Sequence, residues 1–395
     1  MLDRLRAEDP DRPWVVGGAV LALLVALPLV IAGPGNDLDV GNVFRSGRAI
    51  ARHLSYVPSR PPGAPVHESL VGVLDLLGGP LLTNLASVAA AGILLWSLDR
   101  LLREEGIARG GRLGVAFVAA NPWFIVAATS TADYVFALMF VVASARALRG
   151  ERAVLAGVLA AAAMGCRVGS ITLLAALAVA ELATAERREG AARRVAAMGG
   201  VGGLLTVVLF VPSMVAAGGL AFADNDFSHS SPLVQLGRAL AKDLMLIGLP
   251  TAIVALVALP AVVAALRGWR STWLVRFSAT GLVLSQVLFV RFPWKMAHLL
   301  PCLLCLAILY AVALQERPRV LAAMVALQLL FAVVRLDVLA PDKANAASGG
   351  RIDPGITWGP VVTDLRCRHR DPDAYLGRQK EEIEVSFECA SPYSG

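Results

Sequence analysis

Two aspartates, Asp37 and Asp39, stand two residues apart in a polar stretch, GPGNDLDVGNVFRSGRAIARHLSYVPSRPPGAPVHE (33–68), directly after the first long apolar run. A carboxylate in such a place can take the proton of an attacking hydroxyl, while its neighbour orients it or helps to hold a divalent cation. The same spacing also suits an ordinary solvated loop. Behind the pair come Arg45, Arg48 and Arg52 in a short basic helix-like segment, then Tyr56, Arg60, a stiff Pro-Pro-Gly-x-Pro turn, His67 and Glu68. Three later places carry charge beside apolar chain. Asp133 in Thr-Ser-Thr-Ala-Asp-Tyr either caps the next helix or joins the acids. Arg167 interrupts MGCRVGS, where a cation is costly unless it is paired or wet, so it binds phosphate or marks an outside turn. Arg291, Lys295 and His298 in RFPWKMAHLLP suit a phosphate at the headgroup level, or else simple interfacial anchoring.

The elements that must position these residues are apolar. The chain has 395 residues, of which 57% are hydrophobic and only 17% charged, with a mean hydropathy of +0.66. Soluble domains carry roughly 25% charge, and apolar runs long enough to cross a bilayer recur from end to end. The fold class is therefore an all-α polytopic membrane protein. Eleven apolar stretches are expected as spans, at 14–32, 80–98, 112–128, 131–148, 152–166, 168–185, 195–215, 243–266, 272–290, 297–314 and 320–340. Several are short, so 112–185 can also hold broken or re-entrant helices. The expected division is a membrane module over 1–340, with 33–79 as a long first outer loop bearing juxtamembrane helices, and a small C-terminal tail over 341–395.

Arginine and lysine are about twice as frequent in one set of short loops as in the other. That bias places the N-terminus in the cytoplasm and the tail outside a plasma membrane. The first apolar run follows a charged N-terminus with no convincing cleavage site and reads as a retained span. The net charge of +6 belongs to topology rather than to nucleic acid, because basic residues interleaved with aromatic platforms are missing. Cys302 and Cys305 form a CxxC inside an apolar helix and read as buried thiols. Cys367 and Cys389 sit in the tail and are expected to bridge, near a strand-like run at 383–387. The segment 216–242, with Asp224, Asp226, His229 and Arg238, reads as a long polar loop. No fixed-period repeat occurs, and GxxxxGK[ST], GxSxG and HExxH are all absent.

The arrangement resembles a GT-C type glycosyltransferase in four places. These are the acidic pair after the first span, YVPSRPPGAPVHE (56–68), Asp133 in STADY, and FPWKMAHLLPCLLCLAIL in the late part of the chain. The last is similar to the basic, aromatic and proline-containing helix start of mannosyl- and arabinosyl-transferring relatives. The resemblance implies a GT-C-like bundle of about eleven helices that moves a sugar from a polyprenyl-phosphate donor to a glycan, lipid or protein acceptor outside the cytoplasm. It implies Asp39, or second Asp37, as base, and Arg60, Arg167, Arg291 and Lys295 as phosphate holders. Tyr56, His67, Glu68, Asp133 and His298 complete the expected substrate site. No cofactor is required beyond a possible divalent cation. This chain has Asp-Leu-Asp where the family has an adjacent acidic doublet, so which aspartate is the base stays open. A transporter or flippase of lipid-linked sugars would need charge lining the bilayer midplane, whereas the sequence gathers it at one face. A non-catalytic partner subunit is the third reading.

Overall fold

Inside hydrocarbon each backbone N–H and C=O must find a partner within the chain, so an apolar sequence of this kind folds into helices. The computed structural model describes residues 25–35, 39–107, 109–184, 188–216, 219, 231–268, 272–293, 295–339 and 352–370. A helical segment at 25–31 precedes α1 (Val40–His53) and α2 (Pro65–Glu104). Then follow α3 (Arg109–Ala120), α4 (Pro122–Ala128), α5 (Tyr134–Arg149), α6 (Ala153–Cys166), α7 (Ile171–Thr184) and α8 (Arg188–Ala216). The second half holds α9 (Pro232–Ile247), α10 (Leu249–Arg267), α11 (Trp273–Arg291), α12 (Leu300–Ala313) and α13 (Pro318–Val333). The described residues end with β1 (Val334–Leu339), β2 (Ile352–Trp358) and α14 (Pro360–Arg370).

Among the described residues five helices are long and apolar enough to cross a membrane, and six if α3 and α4 form one broken span with a 68° bend. Other expected spans, at α6, α7 and α13, are shorter apolar helices. The bend between α3 and α4 is satisfied internally. Asn121 caps α4, its Oδ1 accepting from the backbone N–H of Trp123 and Phe124. Its Nδ2 donates to the Leu246 carbonyl and to Gln328, both at 2.8 Å. Trp123 Nε1 donates to the Met245 carbonyl.

Three expectations need correction. Residues 232–242, expected as loop, belong to the helix α9, because Leu233, Leu236, Leu240, Leu244 and Ile247 recur at helical spacing. The last apolar stretch leaves the helix at Val333, since Arg335 and Asp337 bring in period-two alternation and the strand β1 pairs antiparallel with β2. The fold is therefore helical with a small two-stranded sheet, not purely α. The run at 383–387 and Cys389 lie outside the described residues, as do Asp224, Asp226 and His229. Cys367 is disulfide-bonded.

The main core is an apolar mass around Leu94, Leu98, Phe117, Leu177, Phe277 and Ile308, with a second, smaller cluster of Leu29, Ile125, Val126, Ala332 and Val361. The small residues Ala156, Gly157, Ala160 and Ala163 are buried on α6, which packs on α5 and α8. At one end of the bundle ion pairs tie helices together: Arg146 to Glu104, Arg149 to Glu105 and Arg194 to Glu181, each at 2.6 Å. α5 has 16 residues, so its start lies about 24 Å from that end. The candidate site gathers around that start.

Candidate active site

The site is a chain of alternating charges drawn from five distant parts of the sequence. Lys295 Nζ lies 2.5 Å from Asp39 Oδ2. Arg60 stands between two acids, with Nη1 3.9 Å from Asp39 and Nη2 bonded to Asp133. Arg167 Nη1 completes the row at 3.2 Å from both Asp133 oxygens. The order is Lys295, Asp39, Arg60, Asp133, Arg167: three cations for two anions. Such a row carries surplus positive charge and can accept an anion such as a phosphate. Its members remain partly open, with side-chain exposures of 10% for Lys295, 17% for Asp39 and 23% for Arg60. Asp133 is buried.

Local sequence explains how each residue arrives. Asp39 precedes the first turn of α1, and Asp133 precedes α5. Neither makes a side-chain cap bond, so the capping role open to Asp133 is given up for the guanidiniums. Arg167 sits in extended backbone where α6 ends and a short 3-10 turn leads into α7. Its guanidinium lies over the Tyr134 ring at 4.0 Å. Lys295 comes from the extended residue before the 3-10 turn that opens α12. Arg60 follows Ser59, whose backbone N–H donates to Glu68 Oε1 at 2.9 Å.

That last bond belongs to a second polar group. Tyr56 donates its hydroxyl to Glu68 Oε2 at 2.6 Å, and Glu68 is fully buried. Burial, with the Glu68 carboxylate next to it, pushes the Tyr56 hydroxyl above its ordinary pKa. Burial would lower the Arg60 guanidinium, but Asp133 and Asp39 more than compensate and hold it charged. Burial would raise the Asp133 carboxyl, yet Arg60 and Arg167 prevail and hold it below the ordinary carboxylate value. His67 is buried with its ring 5.2 Å from that of Phe136, and its two nitrogens have no hydrogen-bond partner among the described residues. His298 lies 6.0 Å from the Tyr134 ring, with Nδ1 3.3 Å from the Phe292 carbonyl.

The structure thus joins Asp39, Arg60, Asp133, Arg167 and Lys295, with Tyr56 and Glu68 bonded to each other behind Arg60 and His298 behind Tyr134. Arg291, at the exposed end of α11, lies over the Phe292 ring at 5.3 Å. Asp37 lies outside the described residues. The Arg60 guanidinium stands between Asp39 and Asp133. Among the described residues there is no cluster of three or more His, Cys, Asp or Glu side chains placed to hold a metal ion. Sequence reasoning missed the supports. Asp75 accepts from Arg48 at 2.6 Å, and Asn84 and Thr131 hold the loops beneath the acids. No local pattern marks them, because each partner is more than 25 residues away.

No protein-family model matches the chain, and no curated protein sequence matches it. Solved structures do. ArnT from Cupriavidus metallidurans, in its form bound to undecaprenyl phosphate, superposes with a TM-score of 0.59 and 17% identity. The match covers 96% of this chain and 76% of that one. Its apo form gives 0.58 and 16%, over 97% and 77% of the two chains. At this identity the likeness is one of fold: the chain shares the helical membrane-protein fold of that structure.

Proposed function

We propose that this protein is a membrane glycosyltransferase that moves a sugar from a polyprenyl-phosphate donor to an acceptor hydroxyl at the outer face, with Asp39 as base. The observation that carries the reading is the Lys295–Asp39–Arg60–Asp133–Arg167 row, placed at one end of a GT-C fold. The ArnT structure's bound undecaprenyl phosphate supports the same donor class.

Asp39 is ion-paired before donor arrives. A donor phosphate draws Lys295 and Arg60 toward its own oxygens and leaves the carboxylate to the acceptor. The acceptor oxygen then attacks the anomeric carbon while Asp39 takes its proton. The carbon–oxygen bond to phosphate breaks, and the bonding pair leaves with polyprenyl phosphate, held by Lys295, Arg60 and Arg167. A single displacement inverts the anomeric centre. The leaving group already carries the energy for transfer, so a nucleotide site is not needed. Asp133 stays ionised and keeps Arg60 and Arg167 aimed.

The test uses purified protein in lipid nanodiscs with polyprenyl-phosphate sugars and a panel of acceptors. Asp39→Asn is expected to lower transfer about 10²- to 10⁴-fold while the protein stays folded. Wild-type transfer in the Asp39→Asn variant would end the assignment of the base.

A further inference from the structure

We propose that Arg368, on the C-terminal helix α14, is a positioning residue that sets the two acidic loops of the site against each other. The proposal rests on Asp39 and Asp133 being the acids of a transfer site.

Arg368 is 1% exposed, an extreme place for a guanidinium. A buried charge persists only with compensation. Its Nη2 lies 2.8 Å from Asp364 one turn earlier. Its Nη1 donates to three backbone carbonyls: Thr129 at 2.7 Å, Leu29 at 2.9 Å and Gly33 at 3.4 Å. These acceptors share a physical character. Leu29 belongs to the helical segment at 25–31 and Gly33 lies just past it, while Thr129 is the C-cap of α4. A helix end leaves its last carbonyls without intrahelical donors, and the aligned dipoles make that end negative. Arg368 places one cation where two such ends converge.

The two ends are also the roots of the two acidic loops. From Gly33 the chain runs to Asp39, and from Thr129 it runs to Asp133. The loops touch along the way. Thr131 N–H donates to the Pro34 carbonyl at 2.9 Å. Gly35 has a φ of +113°, and a Cβ there would meet Ser130 Cβ at 2.5 Å. From below, Asn84 Nδ2 donates to the Val30 and Gly33 carbonyls, and its Oδ1 accepts from Thr131. Arg368 closes this unit from the opposite side. α14 can deliver it because Val361 is buried with Leu29, Ile125, Val126 and Ala332, and Leu365 packs against them. The first turn is pinned by Gly359 N–H on the Val333 carbonyl at 2.7 Å. A part of the chain with no group in the charge row thereby governs the distance that Arg60 bridges.

The experiment compares wild type, Arg368→Met and Arg368→Lys in nanodiscs by backbone hydrogen exchange, melting temperature and transfer kinetics. In Arg368→Met, exchange at 29–35 and 129–133 is expected to rise about tenfold or more while α7 and the far end of α5 keep their protection. The turnover number falls about 10- to 100-fold, more than any rise in the donor KM, because the base is displaced from the acceptor while the donor phosphate keeps its cations as partners. Arg368→Lys keeps the charge but reaches fewer carbonyls and recovers part of both losses. The lysine variant carries the test if the methionine variant does not fold. Unchanged local exchange with turnover within about twofold of wild type overturns the proposal. So does exchange that rises equally at both ends of the bundle, with activity lost only in proportion to folded protein. Should the wild type transfer no sugar, the transfer reading falls, and the exchange data still decide whether Arg368 holds the two loops.

Discussion

Asp39 and Asp133 are both carboxylates beside Arg60, yet they do different work. Asp39 is partly open, so in the proposed transfer it would give up its lysine to incoming phosphate and exchange partners. Asp133 is buried between two guanidiniums and cannot. In the proposed mechanism, Lys295→Met removes the cation that would tie donor arrival to release of the base. Transfer should fall about 10- to 100-fold through a raised donor KM, measured by initial rates across donor concentration. Asp133→Asn leaves Arg60 and Arg167 facing each other. It should cost on the order of 3 kcal/mol, at the low end for a broken buried pair because both guanidiniums keep contact with solvent. The sign of the pH dependence follows from Asp133 titrating below its ordinary value. Its stabilisation is complete above the unfolded carboxylate pKa of about 4 and is lost as the pH falls through the lower folded value. The melting gap between wild type and Asp133→Asn should therefore hold from pH 7 down to about 4 and narrow only below it.

At the scale of elements, the site depends on how closely α1 lies on the start of α2. A Cβ on Gly72 would meet the Gly47 carbonyl oxygen at 2.2 Å, and one on Gly47 would meet the Gly72 amide at 2.7 Å. The obstructing atoms are backbone, so neither can swing aside. Gly72 is one turn after Glu68, which holds Tyr56 and the Ser59 amide next to Arg60. Gly72→Ala should cost about 1–3 kcal/mol and lower transfer as well, read by thermal melting and by rate. Gly92→Ala is the control, since a Cβ there meets nothing within 4 Å. α2 itself is interrupted at Gly78 and Gly79, where the backbone is non-helical. The juxtamembrane part with His67 and Glu68 can thus lie at a different angle from the span that follows.

For the whole molecule, the two ends of the bundle carry different charge arrangements, and the site occupies one of them. With the site outside and the Arg146–Glu104 end inside, membrane-impermeant maleimide on intact cells should label Ser55→Cys and not Arg152→Cys. Both positions are exposed. The background is low, because Cys166, Cys302 and Cys305 are buried and Cys367 is bonded. Labelling of Arg152→Cys alone would invert the orientation. The small sheet and α14 belong to this scale too. They carry no residue of the charge row, yet they pack on the first helical segment, α4 and α13, and so link the end of the chain to the loops near its start.

Much of this was legible in one dimension. Apolar runs in hydrocarbon leave the backbone no choice but helix, so the membrane architecture follows from composition and run length. A charge beside such a run is costly, so Asp39, Arg60, Asp133, Arg167 and Lys295 stood out before any coordinate was known. Periodicity also explains α9 and β1, where a loop and a longer span had been expected. The partnerships were another matter. Lys295 meets Asp39 across 256 residues and Arg368 meets Leu29 across 339. Such contacts depend on the relative position of packed helices, a property of the whole bundle that no local spacing encodes. Residue type told which groups must find a partner, and tertiary packing alone decided which partner each one found.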